Sequence, residues 1–198
     1  DNEINIRYFK QNNGGKHRAI NNGISKALGD LFFIVDSDDS LSAQAIEWIN
    51  QQWDYIKCKK CLAGISGIRI DKKGNKIGGS DDIWNTIESN AIDIRFKHRI
   101  KGDLAEIYKT DILRQFPFPE FRDEKFCPEA LIWNRIAQSY NLMYSYNGIY
   151  VCEYLSDGLT SQIIKLRKHS PKSSMLYYSE LYHYKIPVIQ KFKAAINY

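Results

Sequence analysis

Asp36, Asp38 and Asp39 crowd three carboxylates into the run DSDD, directly after the apolar, β-prone stretch LFFIV. Like charges this close repel one another unless a cation or a network of sugar hydroxyls compensates them, so the cluster is a candidate ligand site. Ahead of it, Asn13-Gly14-Gly15 makes a sharp turn, and Lys16 and Arg18 follow where a helix starts, a place suited to phosphate oxygens. Much later, Pro128 opens a helix and puts Glu129 at its positive end, where the plain role of a carboxylate is to offset the dipole.

These groups need elements to hold them. Leu31 to Val35 predicts a buried strand of a parallel sheet, with the acids at its carboxyl end, where open α/β sheets bind ligands. Lys16 to Leu28 carries Ala19, Ile20, Ile24, Ala27 and Leu28 near helical spacing and is closed by Gly29-Asp30. With INIRYF in front, the order predicts one right-handed βαβ unit. Downstream, the pattern predicts a helix over Ser42 to Lys57 capped by Ser42, a strand over Leu62 to Ile70 entering a hairpin turn, and a strand within Lys101 to Lys109. Thr110 is expected to cap a short helix through Arg114, and Asn141 to Tyr146 with Tyr150 to Tyr154 a hairpin turning at Asn147-Gly148.

The combination NGGKHRAINNG, strand and DSDD resembles the family 2 glycosyltransferases of the GT-A fold, most strongly over Ile4 to Ile49. The resemblance implies an α/β, GT-A-like, Rossmann-type and mostly parallel sheet flanked by helices. Members usually begin about one βαβ unit ahead of Asp1, so the expectation is an N-terminally truncated domain lacking much of its base-binding pocket. A sheet edge left open that way would favour pairing with a second copy. The expected organisation is a partial GT-A-like domain over residues 1–170 and an amphipathic helical tail over 171–198, which packs on the domain, a partner or a membrane surface.

The function implied is transfer of a sugar from a nucleotide-diphosphate donor, UDP-linked by the family's habit, to a saccharide or lipid-linked saccharide acceptor, with inversion. Mn²⁺ or Mg²⁺ would neutralise the leaving diphosphate. Carried over from the family's acid motif, Asp38 is the first choice of metal ligand, Asp36 a metal or ribose contact, and Asp39 a ligand or an orienting group. Lys16 and Arg18 are donor-phosphate candidates, Asp103 an acceptor contact, and His169, beyond a loop expected to close over the diphosphate, a further metal ligand. An inverting transfer needs one carboxylate to take the acceptor proton. The family places its base in a Glu-Asp pair that here reads Glu129-Ala130, so the role passes to Glu129, or to Glu124 or Asp123 in the preceding loop.

Other readings compete. A nucleotide-sugar nucleotidyltransferase also uses acids at a strand end, and Ala130 suits an inactive donor-binding or scaffold domain. Read from Asp36 to Glu47, DSDDSLSAQAIE follows a calcium loop, although Leu41 stands where that loop needs glycine.

Bulk properties bound the choice. The chain has 198 residues, 43% apolar, enough for one sizeable core. It has no run of roughly 18 apolar residues that would span a bilayer. The net charge of +5 is densest in the final third and suits a phosphate-bearing donor or an anionic membrane face. Nucleic acid is not expected, because aromatics do not alternate with Arg and Lys on one strand. Cys58 and Cys61 have metal spacing without a second pair, so all four cysteines read as reduced thiols of a cytoplasmic protein. With the family resemblance, the expectation is a bacterial protein, peripheral at most to the inner membrane face.

Overall fold

The computed structural model describes residues 4–78, 84–152 and 163–197. Helix α1 (Lys16–Lys26) is followed by β1 (Leu31–Phe33), β2 (Ser40–Leu41), α2 (Ala45–Ile56), β3 (Leu62–Ile70), β4 (Ile87–Ser89) and α3 (Asp93–Phe96). Then come β5 (Leu104–Lys109), α4 (Thr110–Leu113), α5 (Glu129–Ile136), β6 (Asn141–Val151), α6 (Ile163–Lys168), α7 (Pro171–His183) and α8 (Val188–Asn197).

The strands form a mixed sheet in the order β1-β5-β3-β6-β2, with β4 also on β6. Of the expected mostly parallel pairing, β3 and β6 run parallel, whereas β1–β5, β3–β5, β2–β6 and β4–β6 are antiparallel. Strand direction depends on which distant segments meet, and an apolar run such as LFFIV carries no record of that.

Alternating side chains divide the sheet's residues between two cores. Tyr108, Leu142 and Tyr144 pack with Ile20 and Ile24 of α1 and Leu131, Ile132 and Ile136 of α5. Ile65, Ile107 and Met143 pack instead with Ala45, Ile49 and Ile56 of α2. Trp133 of α5 stacks on Tyr108 of β5 with centroids 4.4 Å apart, a contact worth about 0.5–1.5 kcal/mol beyond its burial.

Several local expectations need correction. INIRYF is not a strand: residues 4–15 carry no regular element, and Ile4 and Ile6 are exposed, because no described strand pairs with them. Ser42 does not cap α2, which starts at Ala45 after Gln44. Thr110 binds the Gly29 carbonyl at 2.6 Å rather than capping α4, and so ties the end of β5 to the entrance of β1. Asn147-Gly148 is not a hairpin turn. It lies inside the continuous β6, where the register against β3 shifts between Ser66 and Ile68. A Cβ on Gly148 would sit 2.7 Å from Ile70, so the glycine permits a close strand approach that outweighs the local turn preference.

The calcium-loop reading fails on the same ground. The segment before Asp36 is β1 and not a helix, and Ser40 and Leu41 pair with Val151 and Tyr150 instead of completing an ion loop.

Candidate active site

Gly15 starts the site. Its φ of 95° places it in the left-handed region, and a Cβ there would stand 2.0 Å from the Lys125 carbonyl oxygen, so α1 can begin against the 121–125 loop only with glycine. Asn13 Oδ1 accepts the Gly15 N–H at 3.2 Å and fixes the turn.

From that helix start Lys16 reaches across two elements. Its ammonium lies 2.7 Å from Asp36 Oδ1 and 3.0 Å from Glu129 Oε1 at the first turn of α5. Burial disfavours the charge on Lys16, but Glu129 and the hydrogen bonds to both carboxylates outweigh it and raise its pKa above the usual lysine value.

Tyr150 of β6, fully buried, organises the acid turn from the other side. The Asp36 N–H donates to Tyr150 Oη at 3.0 Å, and that hydroxyl donates to Asp39 Oδ2 at 2.7 Å. Burial and the Asp39 bond push the Tyr150 pKa up, so the phenol keeps its proton. The Arg69 guanidinium stacks 4.4 Å over the Tyr150 ring. Asp38, at the tip of the turn, is exposed and has no hydrogen-bond or ion-pair partner among the described residues.

The remaining candidates separate by environment. Glu124 is buried and faces away from this turn: its oxygens accept the Lys172 N–H at 2.7 Å, the Ser173 N–H at 2.9 Å and the Ser173 hydroxyl at 2.7 Å, capping α7. Although burial works against it, these bonds hold the Glu124 carboxyl below its ordinary value. Asp123 is exposed, 3.9 Å from Arg122. Arg18 donates to the Phe121 carbonyl at 2.6 Å, and Asn21 brackets Phe118, so both fasten the 118–121 loop to α1.

Asp103 is exposed just before β5, close enough for its charge to act on Arg69. His169 is exposed, with Nδ1 2.7 Å from the Lys165 carbonyl oxygen. The closing loop read at Glu153 to Ser161 lies outside the described residues.

Two groups escaped the sequence reading. Glu106, one strand position pair from Tyr108 on β5, has its carboxyl pushed up by burial against the pull of Arg95 and Arg69, and it feels the charge of Glu129. His17 is buried with neither ring nitrogen hydrogen-bonded among the described residues, and burial with Arg18 nearby lowers its pKa. The alternation of KGDLAEIYK signalled an inward Glu106, whereas nothing local marks His17.

Among the described residues no three His, Cys, Asp or Glu side chains converge on one metal position. The turn therefore does not fit an all-protein metal cage. A hard cation bound at this turn would have exposed Asp38, and Asp36 once parted from Lys16, as its carboxylate candidates. Cys58 and Cys61 are exposed and unpaired, and Cys127 and Cys152 are buried. No described helix is long and apolar enough to cross a membrane.

The fold is similar to that of S. aureus TarS. Its 1–349 fragment with UDP-GlcNAc superposes with a TM-score of 0.62 at 16% identity, covering 94% of this chain and 52% of that one. The same fragment with UDP gives 0.61 at 16% identity, covering 94% and 51%. Longer TarS gives 0.60 at 15% identity, over 94% of this chain and 31% of that one. The chain thus spans about half the length of the fragment structures and less of the longer one. None of the curated proteins matches in sequence. The model of the family described as glycosyl transferase family 2 matches residues 1–104. That match covers more than half of the 198 residues and carries the turn, α1 and the acid cluster, and by it the chain belongs to glycosyl transferase family 2.

Proposed function

We propose that this domain transfers a sugar from a UDP-linked donor to a saccharide or lipid-linked saccharide acceptor, with inversion and with help from Mn²⁺ or Mg²⁺. The observation that carries the reading is the Lys16 bridge, which draws the acid turn and the start of α5 into one electrostatic unit. The UDP and UDP-GlcNAc in the TarS complexes support a UDP-sugar as the donor class.

In this reading Asp38 and Asp36 would hold the divalent ion, which would supply positive charge to offset the charge developing on the UDP leaving group. Glu129 takes the proton of the acceptor hydroxyl as its oxygen attacks the anomeric carbon, and the sugar–phosphate bond breaks with its electrons leaving on UDP. Lys16 holds Glu129 in place while donor and acceptor are absent. When the diphosphate binds, Lys16 turns toward it and releases Glu129 to the acceptor. Glu124 serves α7 and Asp123 faces solvent, which favours Glu129 over both. Asp103 and Glu106, near Arg69, line the acceptor side, and Tyr150 keeps the acid turn in shape.

The test is release of UDP from a panel of UDP-sugars with Mn²⁺ or Mg²⁺, with the anomeric configuration of the product read by NMR. Glu129→Gln is expected to slow transfer by about 10³-fold while UDP binding persists. Transfer unchanged in Glu129→Gln would overturn this assignment of the base.

A further inference from the structure

Helix α8 turns an apolar stripe away from the protein. At about 100° per residue, Val188, Ile189, Phe192 and Ile196 fall within one arc of about 100°. They are 68%, 61%, 64% and 84% exposed, whereas Ala194 on the opposite side is 1% exposed and packs inward. Lys191 and Lys193 flank the stripe on its two sides, and Lys191 sits 5.6 Å over the Tyr182 ring. Tyr178 and Tyr182 of α7 border it, lining a cavity of about 300 Å³ with Ala195.

Over the helices α6 to α8 the charge is almost all of one sign. Lys185, Lys191 and Lys193 lie on or beside α8, and Lys165, Arg167, Lys168 and Lys172 on α6 and α7. Over residues 163–197 the single acid is Glu180, and its carboxylate is bound bidentately by Arg135, with contacts of 2.6 and 3.0 Å. An apolar stripe edged by lysines, bordered by tyrosines and free of competing acids has the make-up of a helix that lies in the headgroup region of an anionic bilayer. A protein partner would need a matched acidic rim around a shaped hydrophobic core, whereas a lipid surface supplies diffuse negative charge and takes a convex helix of this kind.

We propose that α8 docks this domain peripherally on an anionic lipid surface, with Ile189, Phe192 and Ile196 in the acyl boundary and the lysines of α6, α7 and α8 among the phosphates. The test is co-sedimentation of the full chain with phosphatidylcholine vesicles with and without phosphatidylglycerol. Binding is expected with phosphatidylglycerol alone, weakening as salt rises. The pair Phe192→Asp and Ile196→Asp, both solvent-facing, is expected to cut it by at least about tenfold with an unchanged circular dichroism spectrum. Lys185→Glu with Lys193→Glu, also exposed, should do the same, since each cation near such a surface is worth about fivefold. No sedimentation with anionic vesicles, or equal sedimentation of the Phe192→Asp and Ile196→Asp variant, would overturn the proposal. So would a concentration-dependent dimer that this variant dissolves, since the stripe would then be an interface between copies.

Discussion

Asp36 and Glu129 share one ammonium: Lys16 Nζ stands 2.7 Å from an Asp36 oxygen and 3.0 Å from a Glu129 oxygen. The two carboxylates come from opposite ends of the site, one from the turn after β1 and one from the start of α5. A cation between them offsets the repulsion of two carboxylates at close quarters, and in the proposed reaction a diphosphate competes for it.

If Glu129 is the base, Glu129→Gln should lower kcat by about 10³-fold, within the range expected for loss of a positioned proton acceptor. Steady-state kinetics with a UDP-sugar should show kcat falling with little change in donor KM. Asp123→Asn, at an exposed position, should leave both constants near wild type.

Lys16→Met removes the shared cation and leaves Asp36 and Glu129 facing one another. Donor affinity should fall by about tenfold, the order of one lost charge-assisted contact. Titration of UDP measures it, and addition of salt should narrow the gap between variant and wild type.

Glu124 ties stability to pH. Its carboxyl is held below the ordinary value of 4.5 by the bonds that cap α7. The folded state therefore binds its proton less readily than the unfolded chain, and stability rises with pH through this window. The contribution is complete above about 4.5 and is lost as pH falls through the lower folded value. Glu124→Gln should cost about 1.5–3 kcal/mol at neutral pH and flatten the acid limb of a Tm-against-pH curve.

Tyr150→Phe leaves the Asp36 N–H and one Asp39 oxygen without the shared hydroxyl. Denaturant unfolding should register a loss of about 1–3 kcal/mol. Gly15→Ala should cost a similar amount, about 1–3 kcal/mol, because a left-handed φ and a carbonyl oxygen both resist a Cβ.

The parts of this site set by short-range chemistry were legible in the chain. The Asn13-Gly14-Gly15 turn, the helix it opens, the acid run after an apolar strand and Pro128 before Glu129 are local patterns, and the structure places them as elements near those bounds. What the sequence hid depends on long-range meetings. β1 finds β5, not a parallel neighbour, and Asn147-Gly148 bulges because β3 lies alongside. Glu124 caps a helix 48 residues further on, and Lys16 joins acids from two distant segments, so neither partner is written near its residue.

The most direct test of the account is calorimetric titration of UDP into this chain with Mn²⁺ and with EDTA, in parallel with Asp38→Ala. The account predicts binding that needs the metal and is weakened at least about tenfold in Asp38→Ala, as expected for loss of a metal-ligating carboxylate. UDP binding that is equally tight in EDTA and in Asp38→Ala, or no UDP binding with metal present, would contradict it.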